Sequence, residues 1–333
     1  MPPGPPSTHE PDFKDITPPG FAEYPAEGFN GHAGGDSLTP LVPHEPGLFV
    51  NAEALVMRPR RGALDFTVIN PTNTLATTGP IRSLNFDTSA GVRGELGYQF
   101  GHAGWDVLFG YTYFRTAADG FVAAPLGGIL QPTLTRPGLI TQANSAAAQA
   151  NLNYNLYDMF VGKRFVVDDN FAVRTFGGLR FANITQEFQV AYDGLDARGA
   201  GVNLQSRFQG FGPVAGAEAV LAGPYGLHLY ARASGGMLTG LSKNPYFETN
   251  DLGKTLYVNT TYDIRKVVPV LNVGVGGGWQ YRSVYVRAGY EITNYFDLID
   301  QPRFTDDVTP GKFVPRTANL SLEGLFVQFG MTF

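Results

Sequence analysis

The chain has 333 residues, of which 42 are Gly, 13% are aromatic and only 16% are charged, with a formal charge of −5. An average soluble domain carries roughly 25% charged residues, so this composition argues against an ordinary hydrated surface, and no basic excess favours nucleic acid. Cys is absent, which removes disulfides, thiol nucleophiles and thiolate metal sites.

The cations are mostly of one kind: 18 Arg and 6 Lys make up the 24 basic residues. A soluble β-protein usually hydrates its exterior with Lys, whereas the planar, weakly hydrated Arg fork suits confined pairs with carboxylates. No run of 18 apolar residues is present, so no helix of the chain is expected to cross a membrane. Met1 leads straight into Pro2-Pro3-Gly4-Pro5-Pro6 without the apolar core of a signal peptide. The expectation for an exported chain is then that the signal has been removed.

Residues 1–46 are rich in Pro, including Pro18, Pro19, Pro40, Pro43 and Pro46, and show little apolar periodicity. Such a segment neither donates a regular ladder nor buries a core. It reads as an extended, disordered leader, a spacer in preference to a periplasmic tether.

From Gly47 the period becomes two. Between Phe86 and Phe100 one face reads Phe86, Thr88, Ala90, Val92, Gly94, Leu96, Tyr98, Phe100, while Asp87, Arg93 and Glu95 fall on the other. The run is longer than a soluble strand of about five or six residues and long enough for the 9–11 or so of a membrane strand. Ten such strands are predicted near 47–58, 84–100, 104–116, 149–166, 171–190, 203–222, 226–241, 263–281, 284–298 and 318–333. Tight turns at Gly101-His102-Ala103, Asp168-Asp169-Asn170, Gly223-Pro224-Tyr225 and Arg282-Ser283 alternate with long segments at 59–83, 117–148, 191–202, 242–262 and 299–317. Short inner turns and long outer loops are the plan of an outer-membrane barrel. The predicted fold is therefore all-β: one antiparallel transmembrane barrel over 47–333. Eight or twelve strands remain open, because 62–70 or 254–262 could pair as hairpin arms above the membrane.

Three features point the apolar face outward. Aromatics gather beside the tight turns: Tyr98, Phe100, Trp105, Phe165, Phe171, Tyr225, Trp279 and Tyr281, as in an inner interfacial girdle. The opposite face holds Gly and paired charge. The chain ends on alternating apolar residues, among them Phe329, Met331 and Phe333, similar to the C-terminal strand by which bacterial outer-membrane proteins are recognised for insertion. Two residues depart from the pattern. Glu323 falls on the apolar phase and is placed at or above the outer boundary; Lys163 lies beside Arg164, and one of the two is expected to snorkel towards the turn.

The inward charges are Glu53, Asp87, Arg93, Glu95, Asp106, Asp158, Arg174, Arg180, Glu218, Arg232, Arg287 and Glu291. They form either a charged constriction that selects small solutes or ions or a salt-bridged filling; ten strands lie nearer the filled limit. If a pore exists, the Arg-rich strands would build a basic wall opposite Glu53, Asp87 and Glu95. Catalysis is not expected. His9, His32 and His44 lie in the leader and His102 in a turn, and only His228 faces inward, without a nucleophile partner. Asp306-Asp307 and Asp168-Asp169 lack the oxygen-ligand spacing of a Ca²⁺ loop, so no metal or cofactor is expected. Gly274-Val275-Gly276-Gly277-Gly278 continues as a strand through Trp279, which rules out a phosphate loop; the glycines are expected to let a bulky inward neighbour, such as an Arg, lie across the strand. The loops 117–148 and 242–262 are the second candidate site, folded into the lumen or facing outward.

Four stretches carry a family resemblance: Glu53-Ala54-Leu55-Val56-Met57-Arg58-Pro59 with Leu64-Asp65-Phe66, Arg174 to Ile184, Phe208 to Glu218, and Ala233 to Gly240. In this order they resemble the pore-forming major outer-membrane-protein family typified by Legionella, with a planctomycete-type β-barrel porin family as a near rival. The resemblance implies an outer-membrane pore or a structural surface protein. The leading expectation is passive passage of small solutes or ions through a narrow charged lumen, and the alternative is a non-conducting surface protein, an adhesin or binding module, acting through its long outer loops. The expected partners are outer-membrane lipid, lipopolysaccharide and the barrel-assembly machinery acting on the C-terminal strand. Cys-linked behaviour of that family cannot carry over to a chain without Cys.

Overall fold

The computed structural model describes residues 46–74, 76–101, 104–306, 308–309 and 311–333. The predicted leader up to residue 45 and the turn residues His102 and Ala103 lie outside them, as does Asp307. Among the described residues there are thirteen strands: β1 (Gly47–Arg61), β2 (Asp65–Asn70), β3 (Ile81–Ser83), β4 (Ser89–Phe100), β5 (Trp105–Ala123), β6 (Ile129–Pro132), β7 (Ser145–Asp168), β8 (Phe171–Gly194), β9 (Ala197–Ala222), β10 (Leu227–Asn250), β11 (Thr255–Tyr281), β12 (Val284–Phe304) and β13 (Phe313–Thr332). Ten of them close into a ring in the order β1-β13-β12-β11-β10-β9-β8-β7-β5-β4, and β3-β2-β6 form a separate small sheet.

Closure is made by β1 against β13, in register from Phe49↔Thr332 to Arg61↔Leu320. The backbone N–H of Phe333 donates to the carbonyl of Leu48 at 2.8 Å, tying the last residue to the first strand. In hydrocarbon every unpaired backbone group costs several kcal/mol, so a spanning sheet must leave no edge.

Strands β7 to β11 are 24, 24, 26, 24 and 27 residues long, about twice what a tilted crossing needs. The outward row shows where the crossing stops. In β8 it runs through Leu179 and Phe181 and then turns to Thr185 and Glu187; in β9 it passes from Phe211 to Gln209 and Arg207; in β13 it passes from Leu325 to Glu323. Above that level the alternation inverts. In β8 the inward row changes from Arg174 and Arg180 to Ile184, Phe188 and Tyr192, all buried. The barrel is lipid-facing and ion-filled below, water-facing and apolar-filled above. We call the upper part the head.

The inversion corrects several boundaries. Segments 191–202 and 242–262 are not loops: β8 and β9 meet through Leu195 and Asp196, and β10 and β11 through Asp251–Lys254, where Asp251, Leu252 and Gly253 all take positive φ. Segment 299–317 likewise narrows to residues 305–312. The β1–β4 ladder ends at Met57↔Ser89, so the strand predicted from 84 starts later. Asp87 stands past the ladder and is exposed, outside the bore, while Phe86 is 1% exposed and points into the head instead of the lipid.

Candidate functional site

The bore is built from residues that alternate inward along the ten strands, and apart from Asp87 every predicted lumen charge lies in it. Arg93 on β4 donates to Glu53 at 2.7 Å and to Glu291 at 2.6 and 3.1 Å. Arg174 holds Asp106, with Nε to Oδ2 at 2.8 Å. Arg180 grips Asp158 with two parallel bonds of 2.6 and 2.9 Å. Arg287 reaches Glu218 at 3.1 Å and donates to Nε2 of His228 at 3.2 Å. Glu95 accepts from Asn51 at 2.9 Å, and Arg232 lies over the ring of Phe176 with its guanidinium carbon 4.9 Å from the centroid. No basic wall faces an acidic one; the signs interleave strand by strand. Charges taken from water are best tolerated when paired and hydrogen-bonded, and interleaving achieves this for most of them; Arg232 instead rests on an aromatic face, with its Nε buried and without a hydrogen-bond partner.

Small residues make room for this packing. A Cβ on Gly162 would meet the Arg174 guanidinium at 2.6 Å, and one on Gly278 would meet the His228 ring at 2.5 Å. The expected bulky neighbour of the Gly274–Gly278 stretch is therefore a histidine, and the arginine lies over Gly162.

A polar cavity of about 140 Å³ remains among these groups, walled by residues such as Glu53, Glu95, Arg164, Arg232 and Gln280. Above it two tyrosines meet across the ring of strands. Tyr154 and Tyr295 join hydroxyls at 2.7 Å, and from there one buried apolar cluster runs through Ile184, Phe188, Leu204, Phe208, Leu238, Val268, Leu320 and Leu322. The three-stranded sheet adds Leu64, Phe66 and Leu130 to this cluster. It is pinned at the outer end by Arg316 to Asp65 at 2.7 Å and by the Tyr246 hydroxyl donating to the carbonyl of Leu134 at 2.8 Å. The carboxylate of Glu248 accepts the N–H of Arg136 at 3.0 Å and the Tyr246 hydroxyl at 2.7 Å. Burial raises the pKa of this carboxyl above its ordinary value, and those hydrogen bonds offset part of the rise. Arg61, at the top of β1, lies over Phe188 at 5.9 Å; burial pushes its guanidinium down to about 9.

The head carries a groove of about 1170 Å³ between the small sheet, residues 131–142 and the β12–β13 arm. Ile81, Leu134, Ile140, Phe304 and Val314 supply its apolar walls. Gln131 and Gln301 also line it, and Oε1 of the first and Nε2 of the second are buried without a protein partner. Sequence reading placed a binding surface in 117–148 but missed the β12–β13 wall, because 299–317 reads as a plain loop.

Tyr98, Phe100, Trp105, Phe165, Tyr225, Trp279 and Tyr281 are exposed on the outer wall, Phe171 is half-buried, and Trp279 stacks on Tyr281 with centroids 5.9 Å apart. Lys163 turns outward among them, its ammonium 5.1 Å from Trp105 and 5.3 Å from Phe165, whereas Arg164 lines the cavity. Phe329 and Phe333 face outward, and Met331 is half-buried. Glu323 sits at the outer boundary and accepts from Nε of Arg60 at 2.6 Å. Among the described residues no three His, Cys, Asp or Glu side chains group as a metal site.

Among solved structures, the chain is similar to the outer membrane protease OmpT from Escherichia coli, with 12% identity, a TM-score of 0.47, and coverage of 86% of this chain and 97% of that one. It is also similar to a Pseudomonas aeruginosa FadL homologue, at 8% identity and TM-score 0.22 over 86% of this chain and 89% of that one. The toluene transporter TodX of P. putida matches at 8% identity and TM-score 0.22 over 88% and 91%. No curated protein matches the chain. The family described as Legionella pneumophila major outer membrane protein precursor matches residues 41–333. With that match over nearly the whole barrel, the chain belongs to the Legionella major outer membrane protein family and is a β-barrel protein of the outer membrane.

Proposed function

We propose that this barrel is a closed, non-catalytic surface protein whose working part is the outer head. The observation that carries the reading is the bond between Tyr154 and Tyr295, roofed by the apolar cluster. A diffusion pore needs a continuous wet path lined by charge or backbone dipoles. Here most of the bore charges are held in ion pairs, and the layer above them is predominantly apolar. The pore expected from the family resemblance would require that layer to move. The head groove, in contrast, combines apolar walls with an unpartnered amide donor and acceptor. Pockets of that kind take small amphipathic ligands, and an unmet buried donor or acceptor favours whichever ligand completes it. Sugar uptake by proteoliposomes tests the reading. Vesicles carrying the protein are expected to swell in arabinose no faster than protein-free vesicles, and porin-like swelling would defeat it.

A further inference from the structure

The membrane wall carries a second feature that the head and bore do not explain. Arg207 on β9, Lys243 on β10 and Arg265 on β11 all project from the outer wall and are exposed. On their own strands they stand two, three and one outward alternations above the exposed apolar side chains Phe211, Met237 and Val267, which face lipid. Arg207 and Lys243 are direct cross-strand partners. Arg265 pairs with Leu241, one alternation below Lys243 on the same face. Like charges directly opposite on a sheet repel, and none of the three cations makes a salt bridge among the described residues. Two carboxylates stand nearby on the outer wall, Asp263 as the cross-strand partner of Lys243 on β11 and Glu187 diagonal to Arg207 on β8, and neither forms a salt bridge with the three. The contrast is with the opposite side of the barrel, where Arg60 at the same boundary is neutralised by Glu323.

We propose that Arg207, Lys243 and Arg265 bind the phosphate groups of a phosphorylated glycolipid of the outer leaflet, whose acyl chains lie along Phe211, Met237 and Val267. Charge complementarity and position select this occupant. Arg forks bind phosphate bidentately and Lys adds a point charge; basic clusters beside a membrane recognise anionic headgroups. The cluster begins where the apolar row ends, which is the level of an outer-leaflet headgroup. A free anion would gain nothing from the apolar side chains directly below.

The test is native mass spectrometry of the full chain released from nonionic detergent after titration with bisphosphorylated lipid A. Wild-type protein is expected to retain lipid A, and the R207Q/K243Q/R265Q variant to retain it at least ten-fold more weakly. Phosphate-free lipid A should bind wild type as weakly as the variant binds the phosphorylated form. Heat-modifiable gel mobility establishes that the triple variant is folded, and K243Q alone, read as a smaller loss, substitutes if it is not. Equal retention by wild type and variant overturns the proposal. So does equal retention of the phosphate-free lipid, or displacement of lipid A by millimolar inorganic phosphate, which would make the site one for a free anion.

Discussion

Tyr154 on β7 and Tyr295 on β12 meet hydroxyl to hydroxyl at 2.7 Å, although their strands stand five places apart in a ring of ten. That is the full width of the barrel. Both rings are buried, with 4% and 0% exposure.

Removing one hydroxyl strands the other. Tyr154→Phe or Tyr295→Phe alone should cost about 1–3 kcal/mol, the penalty of an unmet buried polar group. The double Phe variant should cost less than the sum of the two. Urea unfolding in lipid vesicles, run as a double-mutant cycle, reads the coupling; strictly additive losses would mean that the two hydroxyls do not interact.

Arg93 serves two carboxylates, Glu53 and Glu291, whose side chains are 4% and 7% exposed. Arg93→Met leaves both without their cation and should cost roughly 3–5 kcal/mol, as for other broken buried pairs. Adding Glu53→Gln and Glu291→Gln should recover much of that loss. The same unfolding assay checks it, and a neutral Arg93→Met would show that the bore is wetter than described.

Position along the outer wall should decide the cost of a charge. Val327→Arg, in the middle of the exposed apolar row of β13, should lose about 2–4 kcal/mol. Glu323→Gln, at the boundary with an Arg60 partner that is 69% exposed, should lose under about 1 kcal/mol. Equal costs at both positions would misplace the membrane surface.

The head should respond to pH through Glu248. Its folded pKa is raised by burial above the ordinary 4.5, so the folded state holds the proton more tightly than the unfolded state. The contribution of Glu248 to head stability is therefore fully present below about 4.5 and is lost as pH rises through the folded pKa. Glu248→Gln removes that slope. Amide exchange in residues 129–142 and 246–250, compared between pH 5 and pH 7, should show greater protection at pH 5 in wild type and no such difference in the variant.

The lower barrel was legible because one rule covers it. Apolar residues at every second position, as from Leu48 to Val56, have to face lipid, and Glu53, Arg93, Arg174 and Arg180 then fall in the bore. The head was not legible because the rule reverses there. Ile184, Phe188 and Tyr192 occupy the inward phase that Arg174 and Arg180 occupy lower in the same strand. Read from below, such a row looks like a strand that has ended, so the upper parts of β10 and β11 read as a loop. Asp87 was misplaced for the same reason: its alternation with Phe86 is real, but Phe86 belongs to the inverted part. The pairing of the charges was not readable either. Arg93 with Glu291, 198 positions apart, depends on the curvature of the closed sheet.

Single-channel recording in planar bilayers tests the closed bore most directly. Wild-type protein inserted in a defined orientation in 1 M KCl should give no stepwise current. Tyr154→Ala with Tyr295→Ala should give small steps if that layer is the barrier. Regular, uniform conductance steps from the wild-type barrel would contradict the account.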